Sequence, residues 1–418
     1  MDLVIKNVHV VNPGGVALNV DMSIEDGHIA RLGRFGDVHG VDLIDGTDLY
    51  ALPGFCDAHC RLREVGFTHK EDFVTGAYGA AAGGYTDICC MPNTRPVIDS
   101  PAIVADVLAH ARGACIDIHP IAAITRGMKG KRVTDFARLR RAGAIAFSDD
   151  GMPIESIDVM TTAMRRSLTE DVLLMVHEGL PAMIAAGEVD AAAHAVPADV
   201  YGAYPESEEH LLSRDLYLAE RYGGRLHLCH VAREGAVAQI RRYEDKFLGN
   251  VSCDTAPSCF SSADAYVATR NANTRVDRSL RSAQNRQSVV EALIGGIIGS
   301  ITTDRVPQLA SQDAGPSPVL YGFETAFPLA VTNLFAPALL TLPQIARLMS
   351  TNPRRLLGLP GGALTPGQPA DIALCDLSRR YHYGGQTPQS PLAALDLQGS
   401  VVMTIKRGKV VYDRSPYQ

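Results

Sequence analysis

The chain has 418 residues, long enough for one large barrel with a small companion domain, and its nine cysteines are an odd number with no Cys-x-x-Cys pair. That pattern speaks against a disulfide framework and for a reducing cytoplasm. A net charge of −7 with both signs well mixed disfavours a nucleic-acid partner, and without a run of roughly 18 apolar residues no membrane span or membrane partner is expected.

The opening "MDLVIKNVHVVNPGG" places Asp2 and Lys6 among its apolar residues, unlike a signal peptide. Residues 3–10 and 20–32 alternate apolar and polar positions around Asp26-Gly27, which predicts a short antiparallel sheet. From residue 52 the texture changes to short apolar runs, at 52–59, 87–93, 118–124, 144–150, 173–178, 226–232, 251–258 and 300–304. Segments between them, such as 134–143 and 213–224, carry apolar residues at helical spacing and end in Gly. Eight buried strands alternating with helices predict an α/β fold, a (β/α)8 TIM barrel. Two further β-rich segments, 369–377 and 401–413 with a turn at Arg407-Gly408, close the chain. The two β-rich ends predict a small β-sandwich domain built from both termini, residues 1–52 with 366–418, around a barrel of residues 53–365.

Polar residues gather where the apolar runs end: His59, Asn93, Asp149 with Asp150, His177, His230 and Asp304. In a barrel these ends converge on one mouth. Imidazole and carboxylate groups brought together there suit zinc or a similar transition metal. Such an ion lowers the pKa of bound water to about 7 and polarises a carbonyl, the chemistry that amide hydrolysis needs near neutral pH.

The segments "PGFCDAHCRLREVG" (53–66), "GGYTDICCMPNTRPVID" (83–99), "AFSDDGMP" (146–153), "VHEG" (176–179), "LHLCHVA" (226–232) and "GSITTDRVP" (299–307) follow one another in an order that resembles the dihydroorotase family of the amidohydrolase superfamily. The resemblance spans nearly the whole chain. It implies a cyclic-amide hydrolase of pyrimidine metabolism, reversibly opening dihydroorotate or a related carboxylated ring. It implies metal ligation by His59, Asp150, His177, His230 and Asp304, with Asp150 as the bridging carboxylate and Asp304 also the catalytic proton shuttle. Arg63 and Asn93 match residues that hold the substrate's carboxylate, a task that suits a planar guanidinium fork. An assembly of several copies of the chain is also implied.

The departures from the family pattern are as informative. Arg61 stands where a metal-binding His is usual, Arg305 and Gln308 replace two His near Asp304, and "DRSLR" (277–281) replaces an Asn-Pro-Pro-Leu-Arg motif. Ser258 and Cys259 stand in place of a His pair, and Glu178-Gly179 follows His177 in place of the usual pattern. A guanidinium has no lone pair to donate. At roughly 5 Å from a divalent ion, with an effective dielectric near 20, it is repelled by about 6–7 kcal/mol. Arg61 is therefore expected to displace one ion and to pair with Asp304 or Asp150 instead. That leaves one tightly bound Zn2+ rather than two, held by His177, His230 and Asp150, with the position near His59 weak. Two readings follow: an active cyclic-amide hydrolase, or a catalytically impaired dihydroorotase-like subunit that supports a partner such as aspartate carbamoyltransferase.

Overall fold

The computed structural model describes residues 2–37, 39–62, 64–66, 68, 71–177, 189–190, 202–203, 206–243, 249–261, 283–306, 322–383 and 395–414. Arg63, Glu178, Gly179, Gln308 and the segment 277–281 lie outside them.

Five strands open the chain: β1 (Leu3–Asn12), β2 (Gly15–Glu25), β3 (His28–Gly33), β4 (Asp42–Asp45) and β5 (Tyr50–Pro53). The Asp26-Gly27 link between β2 and β3 puts both residues at positive φ, 49° and 74°, the backbone that a two-residue hairpin needs. Eight strands then build the barrel: β6 (Phe55–Cys60), β7 (Tyr85–Cys90), β8 (Asp117–Ala122), β9 (Ala146–Ser148), β10 (Leu173–His177) and, after a separate two-residue pair β11 (Val189–Asp190) and β12 (Gly202–Ala203), β13 (Arg225–Cys229), β14 (Val251–Thr255) and β15 (Ser300–Ile301). Each predicted apolar run supplies one of these eight. They pair in parallel in chain order, and a bridge between Cys60 and Arg305, with Arg61 N–H donating to the Arg305 carbonyl at 2.9 Å, brings the last strand back to the first. Parallel strands covered on both faces are buried throughout, which is why they read as apolar runs rather than as alternation.

The helices keep their predicted ends. Phe136–Ala142 starts where the Asp135 carboxylate accepts from Arg138 N–H, and stops at Gly143, whose φ of 116° few other residues adopt. Glu206–Tyr222 is followed by Gly223 at φ 72°. Among the described residues no helix is long and apolar enough to cross a membrane.

The chain ends in β16 (Ile372–His382), β17 (Asp396–Lys406) and β18 (Lys409–Asp413), which join the opening strands through an antiparallel pairing of β16 with β5. This β-sandwich domain from both termini packs around its own core, including Ile5, Val10, Met22, Ile24, Ile372 and Ile405. Gly54 hands the chain from it to the barrel. A Cβ there would lie 2.5 Å from the Thr86 side chain, and the Gly54 carbonyl accepts from Ser350 Oγ at 2.7 Å and Arg354 Nη2 at 3.1 Å.

Beside it, at the N-terminal end of the barrel strands, lies a buried ion network. Arg354 Nη2 is 2.8 Å from Asp87, and Lys406 Nζ, arriving from β17, lies 3.0 Å from Asp87 and 2.9 Å from both Asp117 and Asp371. Burial pushes the Asp87 carboxyl up, but Arg354, His119 and Lys406 together hold it well below the usual carboxylate range. This floor fastens the β domain to the barrel.

Candidate active site at the barrel mouth

At the opposite end of the barrel the strand termini bring His59, Asn93, Asp150, His177, His230 and Asp304 together. His59 is the fifth residue of β6 and fully buried. Asp150, His230 and Asp304 each follow the end of a strand and adopt positive φ, 47°, 59° and 49°. That conformation turns a strand sharply into its loop, and for a non-glycine residue it costs on the order of 1 kcal/mol or more. Local bonds hold it. Asp150 N–H donates to Ser148 Oγ at 2.9 Å, and His230 N–H donates to Asp254 Oδ1 at 2.6 Å.

Arg61 makes both of the pairings open to it. Its Nε and Nη2 donate to the two oxygens of Asp150, each at 2.8 Å, and its Nη1 donates to Asp304 Oδ1 at 2.7 Å. Asp150 also receives the Asn93 amide Nδ2 on Oδ2 and faces His59 Nε2 at 3.1 Å through Oδ1. Burial raises the Asp150 carboxyl, yet Arg61 and His59 hold it well below its ordinary range. Both its oxygens are therefore taken by protein donors. Asp149, its neighbour, turns away and accepts from Thr125 N–H at 2.9 Å and from the Thr125 hydroxyl, while burial pushes its carboxyl up to about 6.

Among the described residues of the mouth, the ligand-bearing atoms of His59, His230 and Asp304 all lie within 4.8 Å of one another. His230 Nε2 and His59 Nε2 stand 3.4 and 3.8 Å from the same Asp304 Oδ1. Two donors about 2.1 Å from a tetrahedral zinc are about 3.4 Å apart, so this set fits one ion. Burial and the neighbouring His230 ring push the His59 pKa down to about 4, against the pull of Asp150, so the imidazole is neutral. The His177 ring lies next, 5.5 Å from His230 and 6.3 Å from His59 between ring centres. The Arg61 guanidinium lies between Asp150 and Asp304 and bonds both. The grouping His59, His230, Asp304 thus differs from the expected His177, His230, Asp150. The reason is that Asp150 is forked by Arg61.

Asn93 directs its amide at Asp150, while the Arg63 position lies outside the described residues. Arg305, the residue after Asp304, forms a two-point pair with Glu71 and lies over the Phe323 ring, so it stiffens the loop rather than facing the ligands. Sequence reasoning missed the residues behind the first layer. Asp57 is fully buried, accepts from His59 N–H at 3.1 Å and Thr303 N–H at 3.2 Å, and has its carboxyl pushed up by burial to about 7. Asp254 and His227 stand behind His230. Their only signal was a polar residue inside an otherwise apolar strand run.

The arrangement offers buried imidazoles, one carboxylate with a partly exposed side chain (Asp304, 21 %), and a fixed positive charge beside it. It can hold a cation and move a proton at one place. A dihydro-orotase-like family model matches residues 49–235, and an amidohydrolase family model matches residues 274–412. Dihydroorotases of Solibacter usitatus and Acetivibrio thermocellus are 35 % and 34 % identical to this chain, covering 99 % and 98 % of it and the same shares of their own lengths. Among solved structures, an L-hydantoinase (dihydropyrimidinase) from Arthrobacter aurescens superposes with a TM-score of 0.85 at 22 % identity, over 99 % of this chain and 96 % of that one, a likeness of fold. With its terminal β domain, its barrel and its cluster of His and Asp at the mouth, this chain belongs to the dihydroorotase family of the metal-dependent amidohydrolases.

Proposed function

We propose that this chain opens and closes a six-membered cyclic amide bearing a carboxylate, dihydroorotate or a close relative, and that it works with one divalent ion. The observation that carries the reading is the close group of His59, His230 and Asp304 at the mouth of a dihydroorotase-family barrel. Zinc, the ion that this donor set suits, supplies when bound an acidified water and a polarised carbonyl. The protein's own residues do the rest. Asp304 takes the proton from the attacking water and returns it to the ring nitrogen as the amide breaks, the general base and acid in turn. Arg61 Nη1 donates to Asp304 Oδ1 at 2.7 Å and so holds in place the carboxylate that acts as the base. Arg61 also replaces the charge of a second ion with a single positive charge, which stabilises a developing oxyanion less than a second divalent ion does. Arg63 is assigned the substrate carboxylate, and Asn93 holds Asp150 in place.

The same Arg61 fork supports a second reading, in which Asp304 is too strongly paired to act and the chain is a supporting subunit. Its partner would then be an aspartate carbamoyltransferase, beside further copies of this chain. Nine free thiols, eight of them buried, support the cytoplasm as the compartment. Turnover decides between the readings. Purified protein loaded with Zn2+ is expected to interconvert dihydroorotate and its ring-opened form, and to lose that activity to a chelator. Folded, zinc-loaded protein without turnover on dihydroorotate or a hydantoin would leave the supporting subunit as the function.

A further inference from the structure

We propose that Asp254, backed by His227, is the positioning residue that fixes the tautomer and ring orientation of His230. The inference rests on the reading of His230 as a ligand. Asp254 lies in β14, on the strand next to the one that His230 follows, and is fully buried. Its Oδ1 accepts from the His230 backbone N–H at 2.6 Å and faces the ring Nδ1 of the same residue at 3.1 Å. Its Oδ2 faces His227 Nε2 at 2.9 Å, and His227 Nδ1 faces Ser252 Oγ at 2.8 Å.

The Asp254 carboxylate, when ionised, only accepts, so the ring nitrogen of each histidine that is bonded to it carries the hydrogen. For His227 this puts the proton on Nε2 and leaves Nδ1 to accept from the Ser252 hydroxyl. For His230 it puts the proton on Nδ1, the nitrogen bonded to Asp254, and leaves Nε2, 3.4 Å from Asp304 Oδ1, as the nitrogen whose lone pair would meet a cation held between the two. Thr302 Oγ1, 3.4 Å from His230 Nδ1, is the more distant contact and is itself able to accept. One carboxylate therefore serves two ends of the same residue. It holds the backbone in its positive-φ turn and it aims the ring. A neutral imidazole binds a metal through one lone pair, and the partner of its other nitrogen decides which pair that is. His227 fixes the carboxylate in turn, so that Asp254 does not swing when His230 moves.

The test is Co2+ binding to the full-length protein, read by competition with a chelating indicator and by the visible absorption of the bound ion, with thermal melting as a check on folding. Asp254→Asn removes the charge and its demand for a donor at Nδ1, and is expected to weaken binding about 10–100-fold and to shift the cobalt bands. His227→Gln keeps a donor toward Asp254 and is expected to bind within about 3-fold of the natural protein, whereas His227→Leu falls clearly below it. His230→Ala serves as the reference for loss of the ligand. If Asp254→Asn keeps the natural affinity and spectrum while His230→Ala loses both, the role of Asp254 is overturned and the ligand reading stands. If His230→Ala also binds normally, both fall. Should Asp254→Asn fail to fold, equal affinities of His227→Gln and His227→Leu overturn the proposal.

Discussion

The two ends of the barrel each bury an arginine over carboxylates, and they do opposite things with it. At the floor, Arg354 and Lys406 meet Asp87, Asp117 and Asp371, and every charge has an opposite partner within 3.0 Å. At the mouth, Arg61 meets Asp150 and Asp304, but three imidazoles stand around the pair and the Asp304 side chain is partly exposed. A saturated network joins domains. One that sets imidazoles around a partly exposed carboxylate has the groups to hold an ion. The same side-chain chemistry becomes structure or function according to what is left over.

The largest expected effect breaks the mouth. Asp304→Asn keeps the shape and removes the proton acceptor, so turnover on dihydroorotate should fall by roughly 10²–10⁴-fold while the melting temperature changes little. Steady-state kinetics beside a melting curve check both halves.

Next comes the floor. Asp87→Asn leaves Arg354 and part of Lys406 uncompensated, which should cost about 3–5 kcal/mol in denaturant unfolding with turnover per folded molecule preserved. The pH dependence follows from the direction of its shift. Asp87 is held well below its ordinary value of 3.8, so its contribution is full above about pH 4 and is lost as the pH falls through the lower folded value. The stability gap between natural protein and variant should therefore narrow below pH 4. A gap that stays constant down to pH 2 would mean that the floor does not draw on the Asp87 charge.

Much of this was legible in the sequence. The eight strands were visible because parallel barrel strands are buried on both faces, and the site residues were visible because each ended an apolar run. Arg61 stood out by occupying a ligand's place, and its lack of a lone pair predicted its carboxylate partners. The division of ligands was not legible. Whether Asp150 bridges ions or is forked by Arg61 depends on distances between strand ends 89 residues apart in the chain. The floor was invisible for a related reason: Lys406 and Asp87 are 319 residues apart, and each reads as one charge at a strand end or inside a run. Asp254 and His227 were hidden because a polar residue facing the barrel interior leaves no trace in periodicity until the neighbouring strand is known.

The central claim is that Arg61 holds the place of a second ion, and metal stoichiometry tests it most directly. Elemental analysis after equilibrium with excess Zn2+ and removal of loose metal should give one zinc per chain for the natural protein and two for Arg61→His. Arg61→Ala, which removes repulsion without supplying a ligand, should fall between them. Two tightly bound zinc ions in the natural protein, or no gain in Arg61→His, would contradict the account.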